Sequence, residues 1–211
     1  MTKVEAIRKL MLDNGGVANL KMIYSQIENY YPNAKTSKEW QAGLRGVLYR
    51  DLDKSFKKIK DGIYAVIEYD EYNNLPYGLI DITDTEEVKI QKVRKLQSKF
   101  KRDLLKVMPF CPITKIADKR LLIASHIKPW CFSDANERID INNGFIFSPL
   151  YDKLFDSGLI TFSDDKWLVI SPTLDSITVK KLNIKEQKYT ELVTFGREEY
   201  LEFHRQNIFI G

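Results

Sequence analysis

The chain is poor in cysteine and histidine, with two of each among 211 residues. Cys111 and Cys131 cannot form a disulfide framework. That excludes the small secreted scaffolds that depend on one and fits a reduced, cytoplasmic compartment. A structural zinc site is also excluded. Cys111, His126 and Cys131 offer three ligands where four are needed, and paired CxxC motifs are missing, so both cysteines are expected in the interior. No run of eighteen apolar residues occurs, so no membrane span is expected. The opening segment MTKVEAIRKLMLDNGG lacks the apolar stretch of a secretion signal. There is no glycine-rich phosphate loop, which argues against a built-in ATPase motor. Internal repeats and low-complexity segments are missing too. What is present is ordinary for a globular protein: 44% hydrophobic residues, 29% charged residues and a net charge of +4. A charge that small permits nucleic-acid binding without demanding it. The length allows one large domain or two small ones.

The chemistry concentrates between Leu121 and Gly158, in LLIASHIKPWCFSDANERIDINNGFIFSPLYDKLFDSG. Leu121 to Ile127 is an apolar run with a polar end, as expected of a buried strand whose tip reaches a site. Pro129 cannot donate to a sheet ladder, so the strand ends near it. Cys131 to Asn143 is polar and reads as a loop, and Phe145 to Phe147 as a second strand. Ser148 followed by Pro149 marks a helix start, and Gly158 marks its end. On that helix Asp152 and Asp156 are four residues apart and share a face, while Tyr151, Leu154 and Phe155 pack on the sheet. Two converging carboxylates repel unless a cation lies between them or one is protonated. Oxygen donors favour Mg²⁺ or Mn²⁺ over Zn²⁺. If the strand end packs over this helix, His126 stands beside that cation and takes a proton from water. Taken singly, each residue also has a structural reading. A lone histidine at a strand end is usually hydrogen-bonded, paired aspartates can be a solvated helix face, and Asn143-Gly144 can be a tight turn.

In this order and spacing, SHIKPW, IDINNGF and LYDKLFDSGLITF resemble the HNH nuclease domain, in the branch found in restriction-type endonucleases. The resemblance runs from about Phe110 to Phe162, with an echo in YLEFHRQNIF near the C-terminus. It implies a ββα-metal fold, His126 as general base, Asn143 as the residue that fixes the loop holding the base, and Asp152 and Asp156 as metal ligands. The sequence departs from the family pattern twice. The last histidine of the motif is Asp156, and the residue before the base, often a ligand, is Ser125. Water or phosphate oxygens can complete a Mg²⁺ shell.

Residues 1–70 show a second pattern. Val4, Ile7, Leu10 and Met11 form a helical stripe that Asp13-Asn14-Gly15-Gly16 stops. Asn19 caps a second helix from Leu20 to Tyr30. Thr36 and Glu39 make a capping-box pattern for a third, from Ser37 to Leu52, whose Trp40, Leu44, Val47 and Leu48 face inward. Two β-rich runs flank Asp61-Gly62, a hairpin signal. Three helices and a hairpin resemble the winged-helix domains fused to restriction proteins. That resemblance implies a third helix in the major groove of double-stranded DNA, with Lys38, Gln41, Arg45 and Tyr49 outermost, and Lys57, Lys58 and Lys60 of the hairpin on phosphate. A protein–protein adaptor is the alternative for this unit.

Residues 71–84 read as a linker and 85–211 as the nuclease domain. Glu86 to Val107 is expected as a long basic helix with Val88, Val93, Leu96, Phe100, Leu104 and Val107 on one side. After Gly158, LITFSDDKWLVI is expected to be a hairpin continuing the sheet of the site, followed by a looser strand at Ile177 to Leu182 and a last helix from Arg197 to Gln206. His204, on that helix, is expected to be structural. The whole is an α+β chain. The function expected is sequence-specific, metal-dependent DNA cleavage by a restriction-like endonuclease. A DNA-binding regulator with an inert HNH fold is the alternative. Because one site cuts one strand at a time, a homodimer is expected, at least on DNA.

Overall fold

The computed structural model describes residues 1–69 and 85–211. The expected linker, including Pro76, lies outside the described residues. The described residues mix helices with short antiparallel strands, an α+β chain, and the chain divides into two compact units, Met1–Glu71 and Tyr72–Gly211.

In the first unit the order is α1 (Lys3–Asp13), β1 (Val17–Asn19), α2 (Leu20–Gln26), α3 (Trp40–Arg50), β2 (Phe56–Lys60) and β3 (Ile63–Val66). The strands form one antiparallel sheet in the order β1-β3-β2. Thr2 and Glu5 close a capping box on α1, satisfying two of the amide groups that a helix start leaves open. Asn19 caps α2 through Met22 N–H at 2.8 Å. Gly62, at φ +75°, makes the β2–β3 turn. Ile7, Leu10, Ile23, Leu44, Leu48 and Phe56 fill the core. The capping box expected at Thr36 and Glu39 does not form. Thr36 Oγ1 donates to the Asn33 carbonyl in a turn that Asn33 opens at φ +63°, and α3 starts only at Trp40, with no side chain capping it.

In the second unit α4 (Glu86–Val107) is followed by β4 (Ile123–His126), β5 (Gly144–Phe147), α5 (Pro149–Asp156), β6 (Ile160–Phe162), β7 (Leu168–Ile170), α6 (Ser176–Lys181) and α7 (Glu198–Phe203), which runs on as a π-helical turn at His204–Ile208. β4 and β5 pair antiparallel, with Ser125 opposite Phe145 and His126 opposite Gly144. Side chains alternate across a strand, so the two faces differ. Phe145 and Phe147 pack on Phe155 of α5 and on Phe162, with ring centroids 5.5–5.9 Å apart. The other face carries His126, Gly144 and Ile146 and is covered by Phe100 and Leu104 of α4.

Gly144 is extended, at φ −156°, not a turn residue. Its role is clearance: a Cβ there would stand 2.5 Å from Phe100 Cζ and 2.9 Å from Leu104 Cδ2. Gly144→Ala is therefore expected to push α4 off the hairpin and cost about 1–3 kcal/mol, as overpacking does. A denaturant midpoint equal to wild type would refute that reading.

Two sequence expectations for this unit are corrected. β6 and β7 make a separate two-stranded sheet and do not extend β4–β5. Residues 176–181 are helix, because Asp175 caps them through Thr178 N–H at 2.8 Å. The apolar stripe of α4 is buried only toward its C-terminal half, at Phe100 and Leu104, while Val88 and Val107 are exposed. Cys111 is buried as expected, and its thiol meets Ser148 Oγ at 4.0 Å, whereas Cys131 is half-buried. Ser148 takes the N-cap position of α5 but gives it no side-chain hydrogen bond.

Candidate active site

His126 closes β4, and its imidazole is held from three sides. Phe100 stacks on it at 4.2 Å and 11°, and Trp130 meets it edge-on at 5.7 Å. Nε2 lies 3.0 Å from the Arg138 carbonyl. A carbonyl only accepts, so Nε2 carries the hydrogen and Nδ1 keeps the lone pair. Burial pushes the imidazole below its ordinary pKa. The hydrogen bond to Arg138 works against this, and the nearby Arg138 guanidinium adds to it. The ring is thus oriented, and its neutral form is favoured. Arg138 is itself fully buried, with Nε donating to the Trp130 carbonyl at 3.1 Å and the guanidinium 4.9 Å from the Trp130 ring.

Asn143 organises the 127–142 loop. Its Oδ1 accepts from Lys128 N–H at 2.8 Å. Its Nδ2 donates to the carbonyls of Lys128 (3.2 Å) and Glu137 (3.0 Å) and to Ser133 Oγ (3.2 Å). The side chain is fully buried, so these bonds form where water cannot replace them. The half-buried Lys128–Glu137 ion pair at 2.6 Å closes the same loop. Because this loop delivers the Arg138 carbonyl to His126, Asn143 acts on the imidazole at one remove.

Asp152 and Asp156 lie on α5, Asp152 half-buried and Asp156 exposed. The strand register puts the helix that carries them and the His126 side chain on opposite faces of the hairpin. Ser125 faces α5 together with Phe145, while His126 faces α4. Among the described residues no cluster of three or more His, Cys, Asp or Glu side chains could hold a metal ion. The donors present are two carboxylates on one helix face, with the Ser125 hydroxyl on the same side of the hairpin. That set suits a hard cation that keeps several waters, not a closed zinc site.

Residues 111–163 match the family model for HNH endonucleases. The matched segment contains His126, Asn143, Asp152 and Asp156, and makes a nuclease of the hydrolase type the supported activity. No curated protein matches the chain. No helix among the described residues is long and apolar enough to cross a membrane.

Around the HNH segment, sequence reasoning missed two arginines. Arg138 carried no signal beyond its charge, since nothing in a sequence announces a buried guanidinium. Arg197 was placed only as the start of a helix. It is 3% exposed, and its Nε and Nη2 donate to the Gly144 and Ile141 carbonyls at 3.1 and 3.3 Å, on either side of Asn143. The second histidine, His204, is structural. It is buried, stacked 3.8 Å from Phe155, with Nδ1 at Thr161 Oγ1 and Nε2 at the Phe155 carbonyl.

Of the DNA-facing candidates in the first unit, Gln41, Arg45 and Tyr49 lie on α3, whereas Lys38 precedes it in a turn. Gln41 and Tyr49 are exposed. Arg45 is half-buried, with Nη1 donating to Tyr24 Oη at 2.9 Å. On the hairpin Lys58 pairs with Asp61 at 2.6 Å, Lys57 lies 5.9 Å from the Tyr69 ring, and Lys60 is half-buried at a register shift.

Proposed function

We propose that this chain is a sequence-specific, divalent-metal-dependent DNA endonuclease of restriction type. In this reading residues 1–70 are a winged helix that selects the site, and 85–211 hydrolyse the phosphodiester. The observation that carries it is His126, fixed by the Arg138 carbonyl and pushed below its ordinary pKa inside an HNH segment. A neutral imidazole with a free Nδ1 lone pair is what a general base for water requires at neutral pH. The base draws a proton from water, the resulting hydroxide attacks phosphorus, and the P–O bond to the leaving sugar oxygen breaks. Asn143 keeps the base aligned through the loop it braces. Asp152 and Asp156 would hold a Mg²⁺ or Mn²⁺ ion, which when bound supplies charge stabilisation at the phosphate.

The first unit supports the DNA-reading half through its order, α1-β1-α2-α3-β2-β3, and its three-stranded antiparallel sheet. α3 is then the helix for the major groove, with Gln41, Arg45 and Tyr49 toward bases, and Lys38, Lys57, Lys58 and Lys60 toward phosphate. Cutting both strands takes two protomers or two visits, so a homodimer on DNA belongs to the same proposal.

A second reading, a DNA-binding regulator with an inert HNH fold, draws on Ser125 at the usual ligand position. Supercoiled plasmid incubated with the protein and Mg²⁺ or Mn²⁺ separates the two. Linear product with discrete ends, mapped by run-off sequencing on methylated and unmethylated plasmid, supports the nuclease. Intact plasmid in both metals refutes it.

Asp152→Asn and Asp156→Asn each replace an anionic donor by a neutral one, so half-maximal cleavage should need more Mg²⁺, or survive only in Mn²⁺. Identical metal titrations for wild type and both variants would remove the two residues from the ligand set.

A further inference from the structure

Phenylalanine is among the residue types most often buried, yet Phe195 is 87% exposed. It does not hang on a loose segment. The turn Thr194 to Arg197 is closed by Arg197 N–H to the Thr194 carbonyl at 2.9 Å, with Gly196 at φ +76°. Both ends of this turn are buried: Thr194 Oγ1 donates to the Asp164 carbonyl at 2.7 Å, and Leu192, just before it, is fully enclosed. The same Arg197 that grips the Gly144 and Ile141 carbonyls also reaches the Phe195 carbonyl from Nη1 at 3.4 Å. Gly144 is the residue paired with His126. A Cβ at Gly196 would stand 3.7 Å from the side chain of Asn142, next to the Asn143 brace. One buried guanidinium therefore ties the backbone of the turn that carries this exposed ring to the end of the hairpin where His126 stands.

We infer that Phe195 is a DNA-contacting residue that stacks on, or wedges between, bases beside the phosphate to be cut. This rests on the nuclease reading above. An aromatic ring offers a flat apolar face that any base can cover, and rings inserted at a base step unstack it. Glu198 and Glu199 follow directly in the chain, so this turn is no phosphate clamp, and what it presents is the ring. The held backbone matters because a turn already fixed in place loses little conformational freedom on contact.

The test uses the full chain and supercoiled plasmid. Phe195→Ala should keep the wild-type melting temperature, since the ring packs on little, and should cut more slowly by on the order of tenfold, while Phe195→Trp retains cleavage. Permanganate, which oxidises unstacked thymines, gives a readout independent of turnover. Plasmid bound by His126→Ala protein should show reactive thymines within a few base pairs of the cleavage site, and the His126→Ala, Phe195→Ala double variant should lose them. Wild-type cleavage by Phe195→Ala, or an unchanged permanganate pattern in the double variant, overturns the inference. A change in oligomeric state with Phe195→Ala, seen by light scattering, also overturns it, because the ring then meets a second copy of the chain. If wild type leaves the plasmid intact, the nuclease reading fails, and the permanganate pattern still reports whether the ring meets bases.

Discussion

His126→Ala should fold and bind DNA as wild type does and cut plasmid about 10²- to 10⁴-fold more slowly, the usual contribution of a positioned general base. The imidazole lies at a strand end and is not fully enclosed, so its removal is expected to leave the fold intact. What is lost is the Nδ1 lone pair that the Nε2–Arg138 hydrogen bond holds in place. Dependence on pH gives a second check. Burial, reinforced by the Arg138 charge, depresses the imidazole pKa. The active form is the neutral one, so cleavage should be full above the folded-state pKa and be lost only as pH falls through it. The acid limb of the rate profile should therefore lie below the ordinary histidine value of about 6.5. A limb at or above that value, or plasmid cleavage by His126→Ala at the wild-type rate, would remove His126 from the chemistry.

Asn143→Ala should damage both stability and cleavage. It strips the side-chain partners from Lys128 N–H and the Glu137 carbonyl in a site that excludes water. Each buried polar group left unmet costs about 1–3 kcal/mol, so a loss of about 2–5 kcal/mol is expected. That corresponds to a fall in melting temperature on the order of 10 °C. Cleavage should fall even at temperatures where the variant remains folded, because the loop that carries the Arg138 carbonyl to His126 loses its anchor. Asn143→Asp distinguishes this from a simple volume effect. It keeps the size and the acceptor toward Lys128 N–H, but turns an oxygen toward the Lys128 and Glu137 carbonyls, so it should be impaired comparably. A wild-type melting curve for Asn143→Asp would show that the Nδ2 donors do not hold the loop.

Much of the local structure was legible from residue order. Apolar periodicity marks α1 and α4, and Asp13-Asn14-Gly15-Gly16 stops α1. Asp61-Gly62 marks the β2–β3 hairpin, and Pro149 and Gly158 bracket α5. These signals are local, because a cap or a turn residue acts on backbone groups within a few positions of itself. The strand expected at 177–182 failed on a local signal that was present, the Asp175 cap. The box expected at Thr36 failed because an Asn33 turn claimed the hydroxyl.

By itself the sequence determined which chemistry-bearing residues lie within one short segment, and that Asp152 and Asp156 share a helix face, since the helical period fixes that. Only the tertiary structure decided which face of the hairpin each group occupies. Strand register and the packing of α4 and α5 on opposite faces of the hairpin set that, and both depend on residues far apart in the chain. Phe100 therefore covers His126, Gly144 is glycine because Phe100 crosses it, and Ser125, not His126, looks toward the aspartate helix. Arg197 holds the carbonyls flanking Asn143 from more than fifty residues away. A buried arginine shared among three carbonyls leaves no periodic trace, because its partners are brought to it by the fold.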